Sequence, residues 1–446
     1  MSDEAFPFPA GATEAMLDWT GTRIAHGPDP KHGAQSFAAL EPVLGHSITA
    51  GGIGAEAAFR LFTETIVPST RPFGHPTSLS FVASAPSRAA LSFDAALGAA
   101  GIFAGNWDGG AGAIHAENQA LRWISDLAGW PEDAGGVFVA GGTLGNLSAL
   151  HAAREWRARQ VERPARWAIL ASSEAHSSIR AVARVMDVDV IEVPADATGR
   201  MTAEAAAGAL TSSVFAIVGN AGATNCGAVD DIAGLADLAE EGGLWLHLDG
   251  AYGLAALADP AQRPLFAGIE RAHSLIVDPH KWLFAPYDSC ALIYRDAAAG
   301  AAAHGQKAVY LDTVDKTHWN PSDYALHLTR RARGLPLWFS LAVHGTAAYA
   351  GAIARTRAIA EEIAAGIAGM AGLDLILGPQ LTVILFRPRG MDEASMIQWA
   401  EGHRRSGALL CLPTRWRGEM VFRLCIVNPS TDPEEVLGVL ATLTGY

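Results

Sequence analysis

The chain has 446 residues, of which 50% are hydrophobic and 17% are charged, so it has enough apolar material for a large buried core. This length favours a large domain with a smaller appendage over one ordinary domain. The 46 acidic residues outnumber the 32 basic ones, which gives a formal net charge of −14, and no run of Lys and Arg occurs. These numbers argue against a protein that binds nucleic acid or an anionic membrane surface.

The cysteines and the N-terminus bear on the compartment. Four cysteines are scattered without a CxxC pair or the spacing of a metal site, which fits reduced thiols and no metal ion. The chain opens with acidic residues and prolines, where a signal peptide needs basic and then apolar residues. No uncharged apolar run reaches about 18 residues, the length that a membrane span requires. We therefore expect a cytoplasmic protein that does not enter a membrane.

The first 65 residues or so predict two weak helices joined by loops that contain Pro and Gly. They hold too few apolar residues to form a core of their own. We expect the segment 1–65 to pack on another surface, such as a second subunit.

From about residue 120, short apolar runs of strand length alternate with helical stretches. Buried strands that alternate with helices are typical of a mostly parallel sheet covered on both faces. The predicted strands are Val137–Val139, Trp167–Leu170, Val188–Val193, Val214–Val218, Leu244–Leu248, Leu275–Val277 and Cys290–Tyr294, and helices between them include Leu147–Gln160, Ser178–Met186 and Ile232–Glu241. The pattern predicts an α/β fold, with a large domain over residues 66–345.

The remainder of the chain predicts a small C-terminal α/β domain over residues 346–446. An Ala-rich helical stretch, Leu337–Met370, leads into it. The predicted elements after that stretch are strand Thr382–Phe386, helix Met391–Arg404, strand Val421–Ile426 and helix Pro433–Leu443.

Lys281 stands in the segment SLIVDPHKWL, just past a predicted strand. Ligands of such sheets collect beyond the carboxyl ends of the strands. A lysine between apolar residues is costly to bury as a cation, so it can be kept neutral and become a nucleophile towards an aldehyde. The plain alternative, a lysine that closes a strand end, is the commoner case for an isolated lysine.

Asp249 also follows an apolar run directly, in the segment LWLHLDGAYG. A carboxylate at that edge can hold a pyridine nitrogen protonated, which makes the ring an electron sink. Ala251 points to the same side and is small enough for a flat ring to lie on it. Alternatively, Asp249 caps the next helix.

Three more strand ends carry polar residues. Gly142 and Thr143 lie between a strand and a helix, where glycines and a helix N-terminus can bind an anion, although an ordinary turn is as good a reading. His176 could stack on a ring or serve as a structural residue near a helix cap. Thr224 offers a hydroxyl. All the candidates converge on one edge of one sheet, and together they provide what pyridoxal 5'-phosphate (PLP) requires.

These residues resemble the group II PLP-dependent decarboxylases, which include the aromatic-L-amino-acid, histidine and glutamate decarboxylases. Asp-Pro-His-Lys-Trp at 278–282 is the most specific part, and the similarity runs from about Gly74 to the C-terminus. The resemblance implies PLP fold-type I (aspartate aminotransferase-like) and decarboxylation of an L-amino acid to an amine and CO2. It also implies a homodimer with shared active sites, whose N-terminal segment packs on the partner.

By the same resemblance, Lys281 is the lysine that forms the Schiff base with the cofactor, and Asp249 is the partner of the pyridine nitrogen. Ala251 is the residue under the ring, and His176 is stacked over it. Thr224 lies near the ring oxygen and the substrate carboxylate.

The resemblance places Gly142 and Thr143 in the phosphate loop and His280 before the lysine. Asp278 stands where some members have Asn, so a phosphate contact from it is left open. The stretch from Tyr310 to Arg331 corresponds to the family's mobile loop, in shorter form.

Tyr324 is the best candidate in that loop for the tyrosine that protonates the substrate carbon, although the alignment needs a gap between it and Arg330. For the substrate pocket, the resemblance indicates His75, Phe81 and Phe103, with Trp107 nearby. Their character favours an apolar or aromatic substrate, unless the aromatic rings are ordinary packing.

Other reactions stay open at this point. Transamination and C–C lyase chemistry need the same phosphate loop, lysine and aspartate. Arg423 could be read as the arginine of a transaminase. An acidic substrate would need a cation in the pocket, and the sequence places none. A member of the fold that has lost catalysis is disfavoured, because both Lys281 and Asp249 are present.

Overall fold

The computed structural model describes residues 6, 8–9, 11–305 and 317–445. In these ranges the α-helices are α1 (Ala12–His26), α2 (Phe37–Leu44), α3 (Ala55–Leu61), α4 (Arg88–Ala100), α5 (Trp107–Leu127), α6 (Gly142–Ala158), α7 (Ser177–Met186), α8 (Ala203–Ala209), α9 (Ile232–Gly242), α10 (Pro279–Trp282), α11 (Ala297–His304), α12 (Leu335–His344), α13 (Thr346–Gly369), α14 (Glu393–Ser406) and α15 (Pro433–Leu440).

The strands form a large sheet and a small one. They are β1 (Gly135–Val139), β2 (Ala168–Ser172), β3 (Asp189–Val193), β4 (Val214–Asn220), β5 (Trp245–Asp249), β6 (Ser274–Val277), β7 (Cys290–Tyr294), β8 (Leu373–Leu377), β9 (Val383–Pro388), β10 (Leu412–Trp416) and β11 (Glu419–Cys425). The large sheet has the order β1-β7-β6-β5-β4-β2-β3. Strands β2 to β6 pair in parallel, and β7 runs antiparallel to β1 and β6. The predicted α/β fold, with a mostly parallel sheet, is confirmed.

Both faces of the large sheet are covered, which accounts for strands that read as continuous apolar runs. Successive side chains of a strand point to opposite faces. In β5, Leu246 and Leu248 belong to one apolar core, while Trp245 belongs to another. In β6, Leu275 and Ile276 divide between the same two cores.

The sheet brings the ends of five strands to one edge. Because β1, β2, β4, β5 and β6 all run in the same direction, their carboxyl ends open on the same side. Asn220, the last residue of β4, pairs with Asp249, the last residue of β5. The loops that carry the predicted site residues therefore start side by side.

The small domain has a four-stranded antiparallel sheet in the order β10-β11-β9-β8. The sequence analysis identified the two central strands, β9 and β11, and missed the two edge strands. An edge strand is half-exposed and tolerates residues that a central strand does not, such as Pro413 in β10. Strand β10 therefore does not stand out as an apolar run.

The Ala-rich stretch is two helices and not one. Helices α12 and α13 meet at 97°. Gly345 lies between them with a φ of +75°, a conformation that glycine adopts without strain. Taken singly, no helix in the described part of the chain is long and apolar enough to cross a bilayer; only this bent pair would pass such a test together.

The N-terminal segment forms α1, α2, α3 and a π-helical turn, Phe62–Ile66, where two helices were predicted. None of the residues in these elements is buried. Large apolar side chains such as Leu17, Phe37 and Ile48 lie exposed on or beside them. A segment that buries nothing within its own chain is consistent with the expected partner contact, which stays a prediction.

Candidate active site

A cavity of about 610 Å³ opens at the carboxyl edge of the large sheet. All the residues predicted to bind the cofactor line this cavity: Gly142, Thr143, His176, Thr224, Asp249, Ala251, His280 and Lys281. They come from five segments, at the carboxyl ends of β1, β2, β4, β5 and β6, so the convergence that the strand ends predict is present in the fold.

Lys281 lies in α10, the single turn that follows β6. Its Nζ atom is 3.0 Å from Oδ2 of Asp278, which is buried and whose other oxygen, Oδ1, has no hydrogen-bond partner among the described residues. Burial, the largest effect, lowers the pKa of Lys281, but the carboxylates of Asp278 and Asp249 outweigh it and hold this pKa above its ordinary value.

Its apolar flanking residues suggest that this amine can be kept neutral, but in the chain by itself the charges around it favour the protonated form. Two acidic neighbours stabilise the ammonium form of Lys281. The amine must lose a proton before it can attack an aldehyde.

Asp249 closes β5 and is 8% exposed. Its Oδ2 accepts a hydrogen bond of 2.9 Å from Nδ2 of Asn146, and its Oδ1 accepts one of 3.2 Å from the backbone N–H of Ala251. A carboxylate has about four acceptor positions, so both oxygens can accept more. Asp249 is therefore fixed at the cavity wall with room for one further donor, such as a protonated pyridine nitrogen.

The start of α6 fits an anion. Its N-cap residue, Gly141, has no side chain to cap the helix. The N–H groups of Leu144 and Gly145 donate to the carbonyl oxygen of Gly141, which leaves those of Gly142 and Thr143 available to a ligand. A Cβ atom on Gly142 would lie 3.2 Å from Oδ2 of Asp278 and 3.4 Å from Cβ of Ala251. Glycine at this position keeps that part of the cavity open.

An anion cradle, a fixed carboxylate and a lysine amine meet in this cavity. Together they fit PLP.

Three rings border the cavity. His176 caps α7, since its Nδ1 accepts a hydrogen bond of 3.2 Å from the N–H of Ser178, so the structural reading and the cavity position both hold. The ring of His280 lies 5.0 Å from that of Tyr287. Tyr287, which the sequence analysis missed, lies in the loop that leaves α10.

A second cavity of about 370 Å³ shares His176 and Thr224 with the first, so the two adjoin. Phe81 lines it with a half-exposed ring and a left-handed backbone, φ +62°. Its carbonyl oxygen accepts a hydrogen bond of 2.7 Å from Nη1 of Arg423. This contact holds Phe81 in a conformation that is uncommon outside glycine.

Arg423 supplies the cation that the sequence analysis could not place. It is 6% exposed and lines the second cavity, and its Nε and Nη2 have no partner among the described residues. From the sequence, Arg423 could be read only as the arginine of a transaminase, because β11 belongs to the small domain and lies far along the chain from the other site residues.

Three predicted substrate residues line neither of these cavities. His75 shares a hydrogen bond of 2.8 Å with the hydroxyl of Thr77, and Trp107 stacks on His318. Phe103 packs against the glycines at the start of α5. Their role in a site shared between subunits stays a prediction.

Tyr324 also lies away from the cavity of its own chain. Its ring stacks on Trp319 at 4.1 Å, and its carbonyl oxygen accepts a hydrogen bond from the hydroxyl of Tyr294. Burial raises the pKa of Tyr324 to about 12. Part of the predicted loop, 310–316, lies outside the described residues, and the role of Tyr324 as proton donor stays a prediction.

Comparison with known proteins identifies the family of this chain. The sequence model of the pyridoxal-dependent decarboxylase conserved domain matches residues 58–389. An aromatic-L-amino-acid decarboxylase of Bacillus atrophaeus is 28% identical over 90% of this chain and 87% of its own. An L-2,4-diaminobutyrate decarboxylase of Rhizobium meliloti is 30% identical over 87% of this chain and 81% of its own.

The fold has close structural counterparts. The crystal structure of Oryza sativa TDC with PLP and tryptamine superposes with a TM-score of 0.88, covering 99% of this chain and 97% of the other, at 21% identity. A likeness at this identity shows the fold alone. The family match carries the assignment: this chain belongs to the pyridoxal-dependent decarboxylase family and is a PLP-dependent amino-acid decarboxylase, a carboxy-lyase.

Proposed function

We propose that the enzyme converts an L-amino acid with an apolar or aromatic side chain to the corresponding amine and CO2. The half-exposed ring of Phe81 carries this proposal, because it forms a wall of the cavity next to the cofactor site. Leu412 and Pro413 line the same cavity and extend its apolar surface. An aromatic-L-amino-acid decarboxylase among the relatives, 28% identical, supports the same choice.

The residues of the first cavity have separate tasks in this proposal. The N-terminus of α6, with Gly142 and Thr143, would bind the phosphate of PLP, and Lys281 would hold the cofactor through its aldehyde. Asp249 would accept a hydrogen bond from the ring nitrogen and keep it protonated. His176 and Ala251 would pack against the ring.

Bound PLP supplies an electron sink for the bond that breaks at the substrate Cα. The protein would select that bond by orienting the carboxylate of the substrate. Thr224 lines both cavities, and its hydroxyl would take part in orienting this carboxylate. A proton donor then delivers a proton to Cα, and Tyr324 stays the candidate.

An acidic amino acid is the second candidate substrate. The unused donors of Arg423 favour it, since a buried guanidinium with free N–H groups binds a carboxylate well. Glu174 lines the same cavity, and its carboxylate would repel an acidic side chain. Burial raises the pKa of Glu174, which favours the neutral acid and weakens that repulsion.

The test is a substrate panel on the PLP-loaded enzyme: aromatic amino acids, glutamate, aspartate and L-2,4-diaminobutyrate. CO2 and amine are measured together with α-keto acid, which a transaminase would release instead. We expect aromatic substrates to be preferred and Phe81→Ala to reduce kcat/KM for them about tenfold or more, the loss expected for apolar contacts in a pocket.

Ile397→Ala, an exposed apolar residue on α14, is the matched control and should leave kcat/KM unchanged. Preferred turnover of glutamate or aspartate, abolished by Arg423→Met, would replace this proposal by the second candidate. Release of keto acid in amounts equal to the amino acid consumed would overturn decarboxylation itself.

We also propose that the enzyme is a cytoplasmic homodimer. The support is the N-terminal segment, whose helices bury no residue within the chain and carry exposed apolar side chains. Light scattering on the purified enzyme should give twice the chain mass. A monomeric mass at micromolar concentration would contradict the dimer.

A further inference from the structure

A chain of hydrogen bonds runs through the core behind Asp249. Nδ2 of Asn146 donates to Oδ2 of Asp249 at 2.9 Å, and Oδ1 of Asn146 lies 2.8 Å from Nε2 of His247. On its other side, Nδ1 of His247 lies 2.8 Å from the hydroxyl of Ser274, which accepts a hydrogen bond of 2.8 Å from the indole N–H of Trp245.

The fold places these groups in one line. His247 and Asp249 are two residues apart in β5, so both side chains point to the sheet face on which α6 packs. Ser274 is the register partner of His247 on β6. Asn146 reaches both from the first turns of α6. All five side chains in this row of hydrogen bonds are at most 8% exposed.

The direction of the hydrogen bonds is fixed by chemistry. An amide oxygen only accepts, so Nε2 of His247 must carry the proton and donate to Asn146. Burial lowers the pKa of His247 to about 4, so the ring is neutral near pH 7 and its Nδ1 accepts from the hydroxyl of Ser274. One donor of each residue from Trp245 to Asn146 therefore points towards the carboxylate of Asp249, while Nδ2 of Asn146 also donates to the hydroxyl of Ser178 at 3.1 Å.

Hydrogen bonds that are aligned in this way polarise one another, and they are strongest where they end on a charge. We infer that Asn146 and His247 are positioning residues that fix the Asp249 carboxylate for the ring nitrogen of PLP. The inference rests on the proposed role of Asp249 and is independent of which amino acid is the substrate. His247 does not line the cavity and Asn146 does, and the role assigned to both is exerted through Asp249.

A buried network also stabilises a fold, so the test must read the cofactor and not stability alone. The enzyme is reconstituted with PLP labelled with ¹⁵N in the ring, and the ¹⁵N NMR signal reports whether that nitrogen is protonated. The dissociation constant of PLP is measured on the same preparations. His247→Phe fills the space without any hydrogen bond, and Asn146→Ala removes the last link.

We expect both variants to move the ¹⁵N signal towards that of the unprotonated ring and to weaken PLP binding. Their kcat should fall about 10- to 100-fold, the range seen when groups that orient a ligand are removed, with KM changed less. His247→Gln should restore most of the signal, because its amide can donate to Asn146 and accept from Ser274. Trp245→Phe removes only the far end and serves as the matched control.

Asp249→Asn separates the proposed role of Asp249 from the positioning role of Asn146 and His247. If it shifts the ¹⁵N signal while His247→Phe and Asn146→Ala leave both the signal and PLP affinity as in the wild type, the inference is wrong and the role of Asp249 stands. If Asp249→Asn leaves the signal unchanged as well, the role of Asp249 fails, and the inference fails with it. Should His247→Phe not fold, Asn146→Ala and His247→Gln decide the question.

Discussion

The buried ion pair between Glu117 and Arg330 gives a prediction whose size follows from its contacts. Glu117 is 2% and Arg330 is 4% exposed, and they are joined by hydrogen bonds of 2.6 and 2.7 Å. Glu117 also accepts a hydrogen bond of 2.7 Å from the N–H of Gly334. The pair therefore holds the backbone from Arg330 to Gly334, which follows Tyr324, against helix α5.

Glu117→Gln keeps the shape and removes the charge, so it leaves the guanidinium of Arg330 buried without its counter-ion. Loss of one partner of a buried pair costs about 3–5 kcal/mol. The exposed pair of Arg180 and Glu192, at 2.7 Å, is the matched control, and Glu192→Gln should cost less than about 1 kcal/mol.

Urea denaturation of the PLP-loaded enzyme measures both changes under identical conditions. The double variant Glu117→Leu with Arg330→Met should be more stable than Glu117→Gln, because it leaves no unpaired charge. A loss in Glu117→Gln no larger than that in Glu192→Gln would refute the reasoning.

Three further predictions concern the site and the core. Gly142→Ala should weaken PLP binding about tenfold by fluorescence titration, since its Cβ would lie 3.2 Å from Asp278, whereas Gly112→Ala, which meets nothing within 4 Å, should not; equal affinities would contradict the cradle. Asp278→Asn should lower the pKa of Lys281, because the carboxylate of Asp278 raises it. In the apoenzyme the amine of Lys281 should then react faster with acetic anhydride at a fixed pH near neutrality, as measured by peptide mass spectrometry. An unchanged rate would count against the ion pair. Burial lowers the pKa of His247, His273, His304 and His327 to about 4, so the unfolded chain binds more protons between pH 6.5 and 4. The free energy of unfolding should therefore fall on acidification through that window, less steeply in His304→Gln, and a flat profile would be inconsistent with neutral buried rings.

The sequence was informative where chemistry and strand pattern coincide. Lys281 and Asp249 each follow a continuous apolar run directly, and a buried parallel strand is the structure that such a run favours. Because the carboxyl ends of parallel strands share one edge, local patterns were enough to bring together loops that are up to about 140 residues apart.

The parts of the site that depend on packing between distant segments could not be predicted from the sequence. Arg423 reaches the second cavity from another sheet, and no local pattern links it to Phe81. Asn146 and His247 could have been found, since His247 alternates with Asp249 on one strand face and Asn146 belongs to the glycine loop. A polar residue inside an apolar strand is itself the signal that was overlooked.

The edges of elements were also hard to predict, for physical reasons. Gly345 lies in an Ala-rich stretch whose composition favours one continuous helix, and only its left-handed backbone breaks it. Tyr324 was chosen by its spacing within a loop, whereas its stacking on Trp319 depends on how the segment folds back on the sheet.

Covalent trapping tests the central claim most directly. The PLP-loaded enzyme is reduced with sodium borohydride and digested, and the peptide that carries the pyridoxyl group is sequenced by mass spectrometry. We expect the pyridoxyl group on Lys281. The control variant Lys31→Ala should keep this label, whereas Lys281→Ala should lose both the label and the release of CO2. A pyridoxyl group on a different lysine, or an active Lys281→Ala enzyme, would contradict the account.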